Sequence, residues 1–265
     1  MHNIVYASGL TGFIGKNLLN FLLKSNDYVI NFGRNNKAYI FNNNSQKSIT
    51  VSKDIFSEFP SDTFINLATL YNPSPLGLED FNELVEANIT FPLNIIDSLM
   101  KLHKEINIVN TSSYMQLLPI EFQNQYSLSK EIFLNRIKTN IKNVKNIYLF
   151  DSFGCGDTRN KVTDTFIKNI LEKKDIHIPK NDIHINLSYV DEICLSIEKS
   201  INLKPGDYSV LSPNTISLEV LAKKLMQIIG IKVNIIKKVK SHDLFYKINH
   251  IPKNIYTNSL GNDLD

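Results

Sequence analysis

The first half of the chain alternates short β-rich runs with longer stretches in which apolar residues recur every three or four positions. The short runs predict strands, and the longer stretches predict amphipathic helices, because the α-helix repeats every ~3.6 residues. The predicted strands are Asn3–Ala7, Tyr28–Phe32, Thr63–Ala68, Ile106–Asn110 and Val144–Phe150. The predicted helices are Phe13–Lys24, Leu78–Leu102 and Tyr126–Thr139, and the polar segment Asn35–Asn44 is predicted to be a loop.

Strands that alternate with helices pair in parallel through right-handed crossovers. The pattern therefore predicts an α/β fold, a Rossmann-like doubly wound parallel sheet, over residues 1–150. Residues 151–265 carry shorter elements and predict a smaller C-terminal lobe that is interleaved with the last core strands. The elements predicted there are Thr163–Glu172, Val190–Ser200, Asp207–Leu211, Ser217–Ile229 and Val233–Ile236.

Composition excludes several classes of protein. The 265 residues are 43% hydrophobic with a net charge of +3, which excludes a mainly disordered chain. Basic residues form no long block, so we expect no nucleic-acid partner. No apolar run approaches the ~18 residues of a membrane span, and we predict a cytoplasmic protein with no membrane partner and no signal peptide. Cys155 and Cys194 lie far apart in sequence and predict neither a disulfide framework nor a metal site.

A glycine-rich segment, Gly9-Leu10-Thr11-Gly12-Phe13-Ile14-Gly15, separates the first predicted strand from the first predicted helix. Gly9 permits a tight turn, Gly12 lets the backbone approach a pyrophosphate, and Gly15 allows close packing of helix on strand. Backbone N–H groups and the helix dipole then face the anion. A purely structural glycine turn is the alternative, but the order of strand, turn and helix favours dinucleotide binding.

The end of the second predicted strand indicates which cofactor is preferred. An acidic residue there accepts a hydrogen bond from the adenosine ribose and favours NAD, but the segment Asn31-Phe32-Gly33-Arg34-Asn35 holds no carboxylate. The guanidinium group of Arg34 is suited to pair with a 2′-phosphate. The sequence therefore favours NADPH over NADH, with a solvated loop arginine as the alternative.

Tyr126 and Lys130 open a predicted helix, and their i,i+4 spacing places both side chains on one face. A nearby ammonium group favours the phenolate, and lowering the pKa of a tyrosine from about 10 to about 7 takes about 4 kcal/mol. A surface pair on an amphipathic helix is the alternative. Ser112 and Ser113 favour the catalytic interpretation, because they follow a predicted strand at the end where open α/β sheets bind ligands. A hydroxyl there hydrogen-bonds a substrate carbonyl.

These motifs resemble the extended short-chain dehydrogenase/reductases, the superfamily of nucleotide-sugar epimerases, dehydratases and reductases, over roughly residues 2–230. Within it, the chain is most similar to CDP-abequose synthase-like and dTDP-4-keto-6-deoxyhexose reductases. The matching segments are Gly9–Gly15, Asn66–Ala68, Asn88, Thr111–Ser113, Tyr126 with Lys130, Phe153–Asp157 and Tyr189–Glu192. The cofactor-binding residues that the resemblance implies are Gly9, Thr11, Gly12, Phe13, Ile14, Gly15, Arg34, Leu67, Ala68, Thr111, Tyr126 and Lys130.

The resemblance implies NADPH-dependent reduction of the C4 ketone of a nucleotide-diphosphate sugar, a 4-keto-6-deoxy sugar made for bacterial surface polysaccharides such as O-antigen. It implies that Tyr126 protonates the new alkoxide, that Lys130 holds the nicotinamide ribose, and that Ser112 orients the ketone. It also implies a homodimer formed through Leu78–Leu102 and Tyr126–Thr139. An epimerase with tightly bound NAD and a non-catalytic cofactor-binding regulator stay open as alternatives.

Candidate substrate contacts lie in two further segments and beside the predicted catalytic serine. Tyr71 follows a predicted strand, where a substrate mouth is expected, although a proline-stiffened turn without function is equally compatible. The arginine that the family often carries before its YGPGD-like turn is absent here, and Arg159 and Lys161 are replacement cations unless they are merely exposed loop charges. Ser113, next to Ser112, is a third candidate. The resemblance implies that a 4,6-dehydratase carries an Asp-Glu pair directly after the catalytic hydroxyl, whereas Ser113 and Tyr114 follow Ser112 here, which disfavours dehydration.

Overall fold

The computed structural model of the chain describes residues 3–34, 37–51, 55–238 and 240–256. Its strands are β1 Ile4–Ser8, β2 Tyr28–Phe32, β3 Lys37–Asn42, β4 Ser45–Thr50, β5 Thr63–Asn66, β6 Asn107–Ser113, β7 Val144–Leu149, β8 Asp151–Phe153, β9 Ile176–Ile178, β10 His184–Ile185, β11 Leu187–Tyr189, β12 Gly206–Val210, β13 Ile216–Ser217, β14 Ile235–Lys237 and β15 Lys253–Asn254. Its α-helices are α1 Phe13–Ser25, α2 Ile55–Glu58, α3 Leu78–Val85, α4 Phe91–Met100, α5 Gln125–Asn140, α6 Val162–Leu171, α7 Val190–Ser200 and α8 Leu218–Ile229.

The central sheet has nine strands in the order β15-β12-β7-β6-β5-β1-β2-β3-β4. All neighbours from β15 to β2 pair in parallel, which confirms the predicted Rossmann-like α/β sheet. The chain leaves β1 toward β2 on one side and returns to β5 on the other, so the strand order reverses beside β1. A crevice opens at such a switch point, at the carboxyl ends of the strands, and it is where open α/β sheets bind their ligands.

The segment predicted to be a loop is instead a β-hairpin at the edge of this sheet. Strands β3 and β4 pair antiparallel to one another, and β3 pairs antiparallel to β2. Ala38 and Ile40 alternate with more exposed residues and are buried against the core. The turn is stabilised by Asn42 Oδ1, which accepts from the N–H groups of Asn44 and Ser45 at 2.9 and 2.7 Å. Asparagine-rich polar sequence is also typical of tight hairpin turns, and the loop prediction was therefore wrong here.

Among the predicted elements whose boundaries differ in the structure, a helix and a strand concern the site. The helix predicted over Leu78–Leu102 is divided into α3 and α4 by a π-helical turn, Glu86–Thr90. The strand predicted to end at Asn110 continues to Ser113, so the segment Thr111–Ser113 belongs to β6 itself. Both changes bear on the site, because π turns redirect side chains and strand residues alternate between faces.

Helices cover both faces of the central sheet. One hydrophobic cluster packs α1 and α7 on the sheet, with Leu18, Leu22, Ile193 and Ile197 buried in it. A second packs α4 and α5 on the opposite face, around Ile96, Leu99, Phe133 and Leu134. Within the described ranges, no helix is long and apolar enough to cross a membrane.

The C-terminal half contributes to both the sheet and a separate cluster. Strands β12 and β15 extend the central sheet, whereas α6, α8 and β9 bury a third hydrophobic cluster around Phe166, Ile170 and Leu221. Three two-stranded pairs, β8 with β11, β9 with β14 and β10 with β13, lie outside the central sheet. The domain division at residue 150 stays a prediction.

A row of hydrogen-bonded polar side chains crosses the interior of the central sheet, and we call it the amide row. Ser8 Oγ donates to Asn66 Oδ1 at 2.8 Å. The Asn66 amide donates to Asn110 Oδ1 at 3.0 Å, and the Asn110 amide donates to Asn146 Oδ1 at 2.8 Å. Asn146 donates in turn to Asp207 Oδ1 at 3.2 Å. Each pair is directly opposed across neighbouring strands, so the row satisfies polar groups whose burial otherwise costs about 1–3 kcal/mol each.

Candidate active site

The glycine-rich segment forms a tight loop against the strand end of β5. Gly9 has a φ of +81°, and a Cβ atom on it would lie 2.5 Å from the backbone nitrogen of Ala68. A Cβ atom on Gly15 would lie 2.2 Å from the Gly9 carbonyl oxygen. Asn31 on β2 fixes the loop from below, because its Oδ1 accepts from the Leu10 N–H at 3.1 Å. Side chains at these two glycines would therefore displace backbone.

Helix α1 begins at Phe13, directly after this loop. Gly12 is the N-cap residue of α1, and within the described residues no side chain makes the N-cap hydrogen bond. The first turn of α1 holds no acidic residue. The first N–H groups of a helix have no partner within the helix, and with the helix dipole they attract anions. The guanidinium carbon of Arg159 lies 4.3 Å from the centroid of the Phe13 ring and adds positive charge at the same end. These residues fit the diphosphate of a dinucleotide.

Other predicted cofactor residues lie around the same crevice. Thr11 is exposed on the glycine loop, and Ile14 is partly buried in the first turn of α1. Leu67 donates its N–H to the Ser8 carbonyl at 3.1 Å, and Thr111 Oγ1 donates to the Asn66 carbonyl at 3.0 Å. Thr111 is buried and ties β6 to β5, whereas Leu67 continues β5 toward the glycine loop.

Arg34 is exposed beyond the end of β2. The Gly33 N–H donates to the Lys37 carbonyl at 2.8 Å, where the chain turns from β2 into β3. Arg34 therefore follows the carboxyl end of β2, the end of the sheet at which the crevice opens. Its neighbour Asn35 in the predicted segment lies outside the described residues. An exposed arginine in this position fits the added phosphate that distinguishes NADPH from NADH.

Tyr126 and Lys130 lie in the first two turns of α5, whose start is fixed by a capping box. Asn124 Oδ1 accepts from the Ser127 N–H at 2.9 Å, and the Ser127 hydroxyl accepts from the Asn124 N–H at 3.0 Å. Tyr126 and Lys130 are only 8% and 6% exposed, and the Lys130 ammonium lies 5.9 Å from the centroid of the Tyr126 ring. The pair is therefore buried, unlike a surface pair on an amphipathic helix.

Burial holds both groups toward their neutral forms, so the pKa of Tyr126 is raised where the sequence analysis expected it to be lowered. It raises the pKa of Tyr126 to about 12, against hydrogen bonds from Thr69 and Ser113 and the charge of Arg159, all of which lower it. Burial lowers the pKa of Lys130 to about 8. At neutral pH the phenol therefore keeps its proton and the amine is largely protonated. That is the state from which a tyrosine can act as a proton donor.

The structure brings Ser113, and not Ser112, to the phenol of Tyr126. Ser112 is 3% exposed, and its hydroxyl donates to Asn146 Oδ1 at 2.7 Å, beside the amide row. Ser113 hydrogen-bonds Tyr126. Neighbouring residues of a strand point to opposite faces, and the extension of β6 to Ser113 separates the two hydroxyls in this way. Ser113 is therefore the serine beside the phenol, and the catalytic role predicted for Ser112 stays a prediction.

Thr69 is a site residue that the sequence analysis missed. Its hydroxyl hydrogen-bonds Tyr126 and donates to Asn88 Oδ1 at 3.1 Å. Asn88 lies in the π turn and also holds the backbone of Leu70, accepting from its N–H at 2.7 Å and donating to its carbonyl at 3.1 Å. The Asn88 amide also donates to Ser129 Oγ of α5 at 2.9 Å. The π turn thus connects the loop after β5 to the helix that carries Tyr126.

The predicted substrate residues Tyr71 and Arg159 surround Tyr126. The Tyr71 ring meets the Tyr126 ring edge-on with centroids 5.0 Å apart, and Lys161 Nζ lies 4.5 Å from the Tyr71 centroid. Arg159 pairs with Asp157 at 2.5 Å and donates to the carbonyl oxygen of Ser152 at 3.0 Å. Arg159 and Lys161 therefore belong to one cluster with the phenol, in contrast to isolated loop charges.

Asp151 is a second residue that the sequence analysis missed. It begins β8 and lines a cavity of about 240 Å³ together with Tyr114 and Lys161. Burial raises the pKa of Asp151 to about 6, although the charges of Lys161 and Arg159 lower it. The sequence shows that Asp151 stands two residues before the YGPGD-like turn, Phe153–Asp157. The cavity that it lines could not be predicted, because residues far apart in the chain form it.

Comparison with known proteins decides the family. Residues 5–193 match the NAD dependent epimerase/dehydratase family. The chain belongs to this family. Over 216 residues it is 26% identical to CDP-abequose synthase of Yersinia pseudotuberculosis, an alignment that covers 77% of this chain and 75% of the relative.

Solved structures of the same fold agree with this membership. UDP-glucose 4-epimerase of Thermotoga maritima, solved with UDP-glucose, superposes with a TM-score of 0.71 at 15% identity and covers 97% of this chain and 91% of its own. dTDP-4-dehydrorhamnose reductase of Bacillus anthracis, in complex with NADP, superposes with a TM-score of 0.71 at 16% identity, over 96% and 95%. At sequence identities of 15% and 16%, the similarity to these two structures shows a shared fold. The predicted resemblance to the extended short-chain dehydrogenase/reductases is confirmed.

Ile185 and Asn186 stand shortly before the matching segment Tyr189–Glu192, where the family resemblance implies an Arg-Asp pair. Asn186 is buried and acts within the fold: its amide donates to the carbonyl oxygen of Ser212 at 2.8 Å, and its Oδ1 accepts from the Ser212 N–H at 2.9 Å. It thus fixes the loop after β12. The cations near the Tyr126 phenol come instead from Arg159 and Lys161.

Proposed function

We propose that the chain reduces the C4 ketone of a nucleotide-linked 4-keto-6-deoxy sugar with NADPH. The observation that carries the proposal is the buried phenol of Tyr126, beside Lys130 and the glycine loop, with a pKa of about 12. A phenol that keeps its proton at neutral pH is suited to donate it to a developing alkoxide, which is the direction of ketone reduction. The similarity to CDP-abequose synthase supports this substrate class.

The catalytic roles follow from the positions of the side chains. NADPH, when bound, supplies the hydride. Tyr126 donates its proton to the oxygen of the substrate ketone, and the Lys130 ammonium stabilises the phenolate that is left. We assign to Ser113 the role of orienting the ketone that was first predicted for Ser112, because Ser113 hydrogen-bonds the phenol. The Thr69 hydroxyl, which also donates to Asn88 Oδ1, positions the phenol through a hydrogen bond.

The cofactor and the substrate occupy different parts of the crevice in this proposal. The glycine loop and the first turn of α1 hold the cofactor diphosphate, with the residues Gly9, Thr11, Gly12, Phe13, Ile14, Gly15, Leu67, Ala68 and Thr111 around it. Arg34 pairs with the 2′-phosphate and gives the preference for NADPH. Tyr71, Ser113 and Arg159 contact the sugar nucleotide, whose diphosphate is attracted by Arg159 and Lys161.

The proposal also covers the setting of the reaction. We infer a cytoplasmic enzyme of bacterial surface-polysaccharide synthesis that forms a homodimer. The dimer is supported by apolar side chains that stay exposed on neighbouring helices, Leu78 and Phe81 on α3, and Leu128 and Ile132 on α5. A second copy of the chain that covers these helices would remove that apolar surface from water.

The test is NADPH oxidation against CDP-, dTDP-, GDP- and UDP-linked 4-keto-6-deoxy sugars, each prepared fresh. We expect rapid oxidation with one donor and its loss in Tyr126→Phe, with an unchanged melting temperature as evidence that the variant folds. Oxidation with none of the donors contradicts the proposal. In that case stoichiometric NAD in the purified protein would indicate an epimerase, and absence of turnover with any nucleotide sugar would indicate a regulator.

A further inference from the structure

The carboxyl group of Asp151 lies between two neighbouring cavities at the carboxyl end of the sheet. The larger cavity, of about 240 Å³, is lined by Tyr114, Asp151 and Lys161 together with several apolar side chains. The smaller cavity, of about 90 Å³, is lined by Tyr114, Asp151 and His184 and by several apolar side chains. Asp151 thus faces the space on the substrate side of the site, where no role has been assigned to it so far.

A chain of contacts connects this carboxyl group to the reacting phenol. The charge of Asp151 adds to burial in raising the pKa of both Tyr71 and Tyr114, so the carboxyl group is near both phenols. Tyr71 packs edge-on against Tyr126 at 5.0 Å between centroids. Lys161, which lines the larger cavity, also lies 4.5 Å from the centroid of the Tyr71 ring, so this cavity adjoins the aromatic pair that includes Tyr126.

The charges around Asp151 determine which ligand group it can accept. Lys161 and Arg159, in the loop before α6, are the cations that face it, Tyr71 and Tyr114 are the phenols, and His184 lies across the smaller cavity. Above a pH of about 6 the carboxyl group is ionised, and an ionised carboxylate only accepts hydrogen bonds. It repels a diphosphate, which leaves the phosphates to the two cations.

We propose that the Asp151 carboxylate accepts a hydrogen bond from a hydroxyl or amino group on the sugar part of the substrate. Asp151 is then a specificity-determining residue, because a sugar without a donor at that position leaves a partly buried carboxylate without its ligand partner. The inference deepens the proposed function and rests on it for the class of ligand, a sugar nucleotide. It does not require that the sugar be reduced.

The experiment is calorimetric titration of the full chain, in the presence of NADPH, with CDP-glucose, dTDP-glucose, UDP-glucose and GDP-mannose. Each titration is repeated with the corresponding nucleoside diphosphate, which lacks the sugar. The proteins are the wild type, Asp151→Asn and, as a matched control, Asp182→Asn, which removes an exposed carboxylate of the same lobe. We expect Asp151→Asn to weaken the best sugar nucleotide about 10- to 100-fold and to leave its nucleoside diphosphate within about twofold.

The outcomes separate this inference from the proposed function. Equal loss of affinity for sugar nucleotide and nucleoside diphosphate, or no loss for either, overturns the role of Asp151 even if the wild type reduces a keto sugar. Selective loss for the sugar nucleotide supports it even if no ketone is reduced. Binding of none of the probes by the wild type overturns the inference, whereas the proposed function is decided by NADPH oxidation with the keto sugars. If Asp151→Asn melts well below the wild type, Asp151→Ser provides the same comparison.

Discussion

The Thr69 hydroxyl hydrogen-bonds the phenol of Tyr126 and donates to Asn88 Oδ1 at 3.1 Å. Thr69 is thus held on one side by the π turn and contacts the proposed proton donor on the other. The hydrogen bond from Thr69 lowers the pKa of Tyr126, against the larger effect of burial. The loop after β5 therefore contributes to the acidity of the phenol as well as to its position.

Thr69→Val should slow the reduction without unfolding the protein. Valine keeps the shape of threonine but loses the hydroxyl, and a hydrogen bond of this kind contributes about 1 kcal/mol, or about fivefold in rate. The pKa of Tyr126 should also rise, which moves the alkaline limb of the pH–rate profile to higher pH. Thr69→Ser, which restores a hydroxyl, should recover both the rate and the profile. A Thr69→Val variant with wild-type kcat and pH profile would show that Thr69 only packs.

Ser113→Ala and Ser112→Ala should have opposite effects. Ser113→Ala removes the hydroxyl beside the phenol, and we expect kcat to fall about 100-fold with little change in stability. Ser112→Ala leaves the buried Asn146 without one of its hydrogen bonds, and we expect a loss of about 1–3 kcal/mol in unfolding free energy with nearly normal kcat. Urea unfolding and steady-state kinetics on both variants test this assignment. The reverse pattern would return the catalytic role to Ser112.

Gly15→Ala should disrupt the cofactor loop. The added Cβ atom would lie 2.2 Å from the Gly9 carbonyl oxygen, and backbone must move to relieve that contact. We expect a loss of about 1–3 kcal/mol in stability and much weaker NADPH binding, measured by melting temperature and nicotinamide fluorescence. Gly77→Ala is the matched control, because a Cβ atom there meets no atom within 4 Å. Wild-type NADPH affinity in Gly15→Ala would argue against this loop as the diphosphate site.

Arg34→Ala should weaken NADPH more than NADH. Loss of a charge-assisted pair with the 2′-phosphate is expected to reduce NADPH affinity about 10- to 100-fold, whereas NADH, which lacks that phosphate, should change little. Titration of both cofactors against wild type and variant gives the ratio directly. Lys47→Ala, an exposed cation on the edge strand β4, controls for the change in charge. An equal effect on the two cofactors would remove Arg34 from the specificity site.

Much of the fold could be predicted because each core element carries a local pattern. The strand Tyr28–Phe32 was predicted with its observed bounds, and α5 differs from its prediction by one residue at each end. The hairpin β3–β4 was missed because its few apolar residues are spaced among asparagines and serines. Its formation depends on pairing with β2, which is a contact that the local sequence does not reveal.

The site was predictable where its residues form a motif and less so where they meet only in the fold. The glycine loop and the Tyr126–Lys130 pair each have a characteristic spacing, and the structure places Lys130 5.9 Å from the centroid of the Tyr126 ring. The choice between Ser112 and Ser113 depended on where β6 ends, and strand ends are poorly defined by sequence. Thr69 and Asp151 belong to none of the motifs on which the prediction was based. Thr69 acquires its role through contact with Asn88, and Asp151 through its proximity to Tyr71, and both partners are distant in the chain.

The most direct test of the central claim is to follow the transferred hydride itself. The chain is incubated with NADPH that carries deuterium at the transferable nicotinamide position and with the keto sugar nucleotide that it uses, and the product is examined by NMR. The account predicts one deuterium at C4 of the sugar and an equal amount of NADP⁺, with neither formed by Tyr126→Phe. A product without deuterium at C4, formed while NADPH is not consumed, would contradict it.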